Sequence, residues 1–125
     1  MTLTNYGTEN SSGGANAVAN GARAVAVGND ASASGEESTA IGNGARATGT
    51  NSLALSADYT DNATASGQGS VAIGHGGASG QFAITMSPDP SYNAGVRSIV
   101  LGKANITSGG SKAFSAQIDS HTNSY

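Results

Sequence analysis

The chain of 125 residues has few side chains of the types that do chemistry, and their spacing predicts no catalytic group. Glycoside hydrolysis would need two carboxylates about 5–9.5 Å apart across a cleft. Glu36 and Glu37 are adjacent, so on a strand they would point to opposite faces. His75 and His121 have no ligand-like neighbours, which predicts solvated or hydrogen-bonded side chains. We therefore expect no enzyme activity and no cofactor.

Metal, nucleic-acid and membrane binding are not indicated either. Asp58 and Asp61 share a loop, but the Gly and Asp spacing of calcium-binding β-solenoids is absent. The chain has no Cys, and its five Lys and Arg are scattered, which disfavours a phosphate-binding patch. The sequence contains no run of 18 apolar residues, so no membrane-spanning helix is predicted. The first seven residues lack the basic start and apolar stretch of a secretory signal.

The composition excludes an ordinary hydrophobic core. Gly, Ala and Ser make up almost half of the chain, whereas Ile, Leu, Val and Phe together number 18. Such a low content of large apolar residues is typical of disorder when the net charge is high, but here the net charge is only −3. Two alternatives remain: a low-complexity coil, or a repetitive fold with an interior too thin for large side chains.

Glycine recurs at every seventh position from Gly7 to Gly49, and the same spacing returns at Gly67, Gly74 and Gly95. A coiled coil is disfavoured, because each glycine in a helix interior costs about 1 kcal/mol. Within each heptad the side chains alternate with period two, which predicts strands. Two kinds of heptad alternate, so the full repeat is a pair of heptads: two strands and two corners, one coil of a β-solenoid. We expect each glycine to supply the positive φ of a corner.

The two kinds of heptad predict two different outer faces. When each heptad is counted so that its recurring glycine is the seventh position, the third and fifth positions are Ala or Ser in nearly every segment and are predicted to face inwards. The fourth and sixth positions point outwards and are mostly polar in one kind, as at Ser32, Arg46 and Thr64. In the other kind they are aliphatic at Val25, Val27, Ile41, Leu53, Leu55, Val71, Ile73, Ile99 and Leu101.

Nine aliphatic side chains on one outer face predict a homo-oligomer. Burying each of them is worth about 1.5–3 kcal/mol, and soluble monomers avoid apolar stripes of this size. We therefore expect these nine residues to line the axis of an obligate oligomer. The pattern does not decide whether the oligomer has two or three chains. A covering helix or tail is the alternative, but no amphipathic helical pattern supplies one.

Several segments resemble the head repeat of trimeric autotransporter adhesins, the YadA-like head, which also occurs in bacteriophage tail fibre and spike proteins. The resemblance is strong over about residues 15–74 and weak over 96–109. It implies a left-handed parallel β-roll, a homotrimer and attachment to cell surfaces or matrix proteins. The segments that carry it include Ser70-Val71-Ala72-Ile73-Gly74 and Asn43-Gly44-Ala45-Arg46-Ala47-Thr48-Gly49.

The repeat divides the chain into three parts. Residues 1–14 and 110–125 lack a clear register and are interpreted as attachment or capping segments. The β-roll is predicted over 15–109, with insertions at 57–62 and 75–95. Aromatic residues on such insertions are candidate receptor contacts. The candidates are the aromatic residues Tyr59, Phe82 and Tyr92, together with Met86. Phe82, Ile84 and Met86 alternate, however, which favours one more strand packed on the roll for those three.

We therefore expect a non-enzymatic trimeric fibre or adhesin that binds a host cell-surface receptor, either glycan or protein. The sequence as it stands includes no coiled-coil stalk or membrane anchor, which favours a bacteriophage virion fibre joined to another virion protein through a terminus. The alternative is the head of a bacterial autotransporter adhesin. In both cases the expected location is extracellular, on a virion or on a bacterial outer surface. An ice-binding solenoid is disfavoured, because Asn20 and Arg46 interrupt the regularity of the polar face.

Overall fold

A computed structural model describes residues 15–56, 62–88, 93–102 and 113–116, with residues 93–94 and 113–116 described by their backbone alone. These residues form short β-strands and contain no helix, so the predicted all-β class is confirmed. The strands are β1 Val18–Ala19, β2 Val25–Val27, β3 Ser32–Ala33, β4 Thr39–Ile41, β5 Arg46–Ala47, β6 Leu53–Leu55, β7 Thr64–Ala65, β8 Val71–Gly74, β9 Gly77–Ala78, β10 Ile84–Ser87, β11 Asn93–Ala94, β12 Ser98–Leu101 and β13 Ala113–Ala116.

The strands form two parallel sheets. Sheet A has the order β1-β3-β5-β7-β9-β11, and sheet B has the order β2-β4-β6-β8-β10-β12-β13. From β1 to β12, successive strands of one sheet are separated along the chain by one strand of the other, which is the topology of a β-solenoid. Val25 pairs with Thr39, and Thr39 pairs with Leu53. This confirms the predicted coil, which is two heptads long.

Alanine fills the space between the two sheets. Among the residues whose side chains are described, the buried apolar ones are thirteen alanines and Val100. Val100 occupies the register of Ala26 and Ala40 in earlier coils. Thr85 also takes this register, and its hydroxyl donates to the carbonyl of Gly77 at 2.8 Å. The interior is therefore as thin as the composition predicts, and it offers little apolar area per residue.

Coil length changes in the second half of the roll. Leu53 pairs with Val71, so the insertion at 57–62 lengthens one coil by four positions. Val71 pairs with Ile84 in a coil that is one residue shorter than the regular repeat, and Ile84 pairs with Ile99 in a coil that is one residue longer. The segment 75–95 therefore contains β9, β10 and β11 and is a coil of the roll rather than an interruption of it. Beyond the predicted end of the roll at residue 109, β13 pairs with β12 and continues sheet B.

The A-to-B corners are the four-residue turns that lead from sheet A into sheet B. At these corners the glycine pattern agrees with the prediction only in part. In the turn 35–38, the N–H of Ser38 donates to the carbonyl of Gly35 at 3.3 Å, and Glu37 has the positive φ, 55°. This is the arrangement of a type II turn. Positive φ therefore belongs to the third residue of the corner, whereas the expectation assigned it to the glycine that opens the corner.

Gly35 is required for a different reason, the close approach of neighbouring coils. A Cβ at this position would collide with the backbone carbonyl of Gly49 in the next coil. At the opposite corners the expectation of positive φ is correct, because Gly28 and Gly42 have φ of 119° and 107°.

We predict that Gly35→Ala lowers the midpoint of thermal unfolding clearly, because backbone must shift to admit the methyl group and overpacking of this kind costs about 1–3 kcal/mol. Ser34→Ala, one residue earlier on the exposed side of the strand, is the matched control and should leave the midpoint nearly unchanged. Equal midpoints for wild type and Gly35→Ala would contradict a close approach at this corner.

Candidate functional site: the outer face of sheet B

The outer face of sheet B carries the aliphatic residues predicted from the sequence. In β2 the inward Ala24 and Ala26 are buried, whereas Val25 and Val27 are half-buried. The same alternation recurs in β4, β6, β8 and β12. All nine predicted residues therefore lie on one face: Val25, Val27, Ile41, Leu53, Leu55, Val71, Ile73, Ile99 and Leu101. We call this surface the aliphatic face.

Two further residues extend the aliphatic face. Ile84 pairs with Val71, and Met86 pairs with Ile73 on one side and Leu101 on the other. Met86 is 46% exposed. It was predicted as a candidate receptor contact, but it belongs to β10 and stands in the same column as the neighbouring aliphatic residues. The sequence signal that would have found it is the glycine spacing, which shortens by one position at Gly80 and lengthens by one at Gly95.

The aliphatic face has no cover among the described residues. Ile41, Met86 and Ile99 remain 41%, 46% and 37% exposed, and the other aliphatic side chains of this face are only half-buried. The outer face of sheet A is different, because Ser34, Arg46 and Thr48 are exposed there. The structure thus has one apolar and one polar outer face, as the two kinds of heptad predicted.

The other predicted receptor residues are distributed differently. Phe82 lies in an A-to-B corner just before β10, with φ of 55° and 52% of its surface exposed. It is therefore not part of the strand, in contrast to Ile84 and Met86. Tyr59 and Tyr92 lie outside the described residues.

The A-to-B corners carry the ion pairs of the described part of the chain. Arg23 contacts Glu36 at 2.8 Å, and its Nε donates to Glu37 at 2.8 Å. Asn51, one coil further on, donates to the second Glu37 oxygen at 2.9 Å. Hydrogen bonds from Arg23 and Asn51, with the charge of Arg23, lower the pKa of Glu37. The two glutamates thus meet in a corner around one arginine, instead of diverging from a strand as the sequence suggested.

Other chemistry-bearing residues form no site. The Nδ1 atom of His75 lies 2.8 Å from the carbonyl oxygen of Pro88, so this histidine joins two successive coils. Within the described ranges, His, Asp and Glu side chains do not gather in threes that could hold a metal ion. The same ranges include no helix with the length and apolar character needed to cross a membrane.

Comparison with known families matches this roll to a described repeat. A family model, the YadA head domain repeat, matches residues 14–31, 33–55 and 61–76. The chain carries YadA-like head repeats. The matched segments cover β1 to β8, and the later coils continue the two sheets beyond them. No curated protein matches the chain.

The ion pairs around Glu37 predict a modest dependence of stability on pH. The pKa of Glu37 is lower in the folded chain than in the unfolded one, where it is about 4.3. Its stabilising contribution is therefore complete above the unfolded value and is lost as pH falls through the folded value. We expect wild type to unfold at a higher temperature than Glu37→Gln at pH 7, and the difference to shrink on acidification.

The effect should be small, because the residues are exposed and solvent screens them. Molar salt at pH 7 should reduce the same difference, and this provides the control. A gap between the two unfolding midpoints that stays constant with both pH and salt would exclude an electrostatic role for the pair.

Proposed function

We propose that the chain is the head of a homotrimeric, non-enzymatic fibre that binds a host cell surface. The observation that carries the proposal is the aliphatic face, a continuous apolar surface without a cover in the described residues, on a roll built of YadA-like head repeats. Repeats of this kind belong to extracellular adhesins. Receptor binding, the number of chains and the particle that displays them are parts of the proposal.

The energetics of the roll support association through this face. Its interior consists of alanine methyl groups, and such an interior stabilises each coil only slightly. The aliphatic residues are larger than the buried alanines, and in a single chain they are left partly in water. Association transfers this surface into a shared core at about 25 cal/mol per Å². We propose that three copies enclose it, with Ile84 and Met86 added to the nine residues predicted from the sequence.

The corners of the roll support receptor binding. Once the aliphatic face is enclosed, the described corners remain available to a host receptor. Phe82 is the receptor candidate for which the structure describes an exposed side chain. Tyr59 and Tyr92 stay candidates from the sequence, whereas Met86 moves from the receptor set to the subunit interface.

A separate part of the proposal is the particle or cell that carries the fibre. A bacteriophage virion is the first candidate, with the chain joined to another virion protein through one terminus. The outer surface of a bacterium is the alternative, favoured by the match to an adhesin head repeat. Mass spectrometry of purified virions from the source would separate them: the chain among the structural proteins supports the first, and its presence only in a bacterial surface fraction supports the second.

We predict that Leu53→Asp prevents assembly. Leu53 lies in the middle of the aliphatic face, between Thr39 and Val71, and a charge buried at the proposed axis would have no partner. The variant chain should be recovered aggregated or unfolded, as measured by light scattering and circular dichroism.

Thr48→Asp is the matched control, because it adds the same charge on the exposed face of sheet A. This variant should assemble like wild type. Recovery of Leu53→Asp as a soluble, folded single chain would contradict the proposed interface.

Attachment itself is tested by competition. Purified wild-type protein added to host cells should occupy the receptor and reduce adsorption of the virus, or adhesion of the bacterium, in proportion to its concentration. Thr48→Asp should compete about as well, and heat-unfolded protein should not. Undiminished adsorption in the presence of a folded, saturating trimer would contradict the attachment function.

A further inference from the structure

Beyond the aliphatic face, an exposed aromatic ring lies on an A-to-B corner. Among the side chains that the structure describes, Phe82 is the one Phe or Tyr. Its backbone has φ of 55°, in the left-handed region that bulky residues rarely adopt. The fold thus holds a large apolar side chain in an unfavourable backbone conformation, with half of its surface in water.

The ring lies over Gly69 in the preceding coil. A Cβ at Gly69 would stand 2.7 Å from Cδ1 and 2.8 Å from Cε1 of Phe82, so the ring would have to shift if another residue replaced this glycine. The N–H of Phe82 donates to the carbonyl of Gln68 at 2.8 Å and fixes the backbone of this corner on the one before it. The backbone that carries the ring is therefore ordered before a ligand binds, which limits the entropy lost on binding.

Polar residues lie on the same or neighbouring corners. The Gln81 amide donates to the Gln68 amide at 2.8 Å, and both side chains are exposed. Arg97 has the corner position of Phe82 one coil further on, and its N–H donates to the Gln81 carbonyl at 2.9 Å. Because neighbouring strands lie about 4.8 Å apart, the Cα atoms of Phe82 and Arg97 are separated by about the length of one sugar unit in an extended chain.

The charge is unevenly distributed along the chain, with most acidic residues in the first half and most basic residues in the second. Residues 62–118 contain three Lys or Arg and a single Asp, Asp89, although the whole chain has a net charge of −3. The acidic residues are concentrated in the first half, where Arg23 already binds Glu36 and Glu37. The coils around Phe82 and Arg97 are therefore the part of the roll where an anionic ligand meets the least repulsion.

We propose that the corner of Phe82, together with Gln68, Gln81 and Arg97, binds a linear acidic glycan in which a hexosamine alternates with a uronic acid. The ring of Phe82 packs against the apolar face of the hexosamine, and the glutamine amides bind its hydroxyl or acetamido groups. Arg97 binds the carboxylate of the neighbouring uronic acid. This site rests on the proposed function, since a trimer presents three copies of it and gains avidity from them.

A glycan fits this corner better than a protein partner. A stable protein interface buries about 800 Å² on each side and has an apolar centre. Here the exposed apolar groups are the Phe82 ring and Val96, which is 37% exposed, and the exposed polar residues Gln68, Gln81 and Arg97 lie on the same or neighbouring corners. An aromatic ring on a corner that also carries amide groups, with an arginine on the next corner, matches the mixture of C–H faces and hydroxyl groups on a sugar chain.

The test uses the full chain in its assembled form and a hyaluronan decasaccharide as the probe, with binding measured by isothermal titration calorimetry. Phe82→Ala and Arg97→Gln should each weaken binding by about tenfold, the effect of losing one good contact. Phe82→Leu keeps an apolar side chain but removes the aromatic face and should also weaken binding. Arg46→Gln, which removes one charge from sheet A, is the matched control and should bind like wild type.

Circular dichroism and sedimentation of each variant verify that fold and assembly are retained. Chitohexaose, which is neutral, should bind more weakly than the acidic probe. The proposal is overturned by absence of binding to wild type, by equal binding of both probes, or by full retention in Arg97→Gln or Phe82→Leu. If the decasaccharide does not bind while the trimer forms and blocks host adsorption, only this site fails; a chain that does not assemble contradicts the proposed function instead.

Discussion

The thinness of the interior constrains everything else in this structure. Two parallel sheets enclose a column of alanine side chains, and the corners stack so closely that a methyl group at Gly35 would meet the backbone of the next coil. Such a roll satisfies its backbone hydrogen bonds from coil to coil, but among the described residues it buries no apolar side chain larger than that of Val100. Most of the larger apolar residues therefore lie outside, on sheet B, and become available for contact with other chains.

The repeat made much of this architecture predictable from the sequence. Alternation of small inward residues with larger outward ones identified the faces of β2, β4, β6, β8 and β12 and the nine residues of the aliphatic face. Period-two patterns determine which side of a strand a residue occupies, so this prediction needed no knowledge of packing. The match of residues 14–31, 33–55 and 61–76 to the YadA head repeat agrees with the same register.

What the sequence did not predict depends on contacts between coils. A strand through Ile84 and Met86 was favoured, but it was placed in an insertion and not in a coil of the roll, because Gly80 comes one position early relative to Gly67 and the phase of seven is lost there. Parallel strands pair by position in the coil and tolerate such changes at the corners. The positive φ of Glu37 and Phe82 was also missed, since a type II turn fixes the conformation of its third residue and that residue is not glycine in either case.

The corners are therefore the places where the side chains of this regular scaffold differ from coil to coil. At one end Arg23, Glu36 and Glu37 form an ion cluster, and near the other Phe82 rests on Gly69 beside two glutamines and Arg97. Because each coil repeats the same backbone, a change of side chain at a corner alters the surface without altering the fold. In the proposed function, the aliphatic face serves assembly while the corners vary for recognition.

Sedimentation equilibrium of the wild-type chain over a wide range of concentration tests the central proposal, a shared apolar core, most directly. One chain has a mass of 12.1 kDa. The account predicts a single folded species of three times this mass that persists on dilution until the strands unfold. A compact, folded species with the mass of one chain would contradict it.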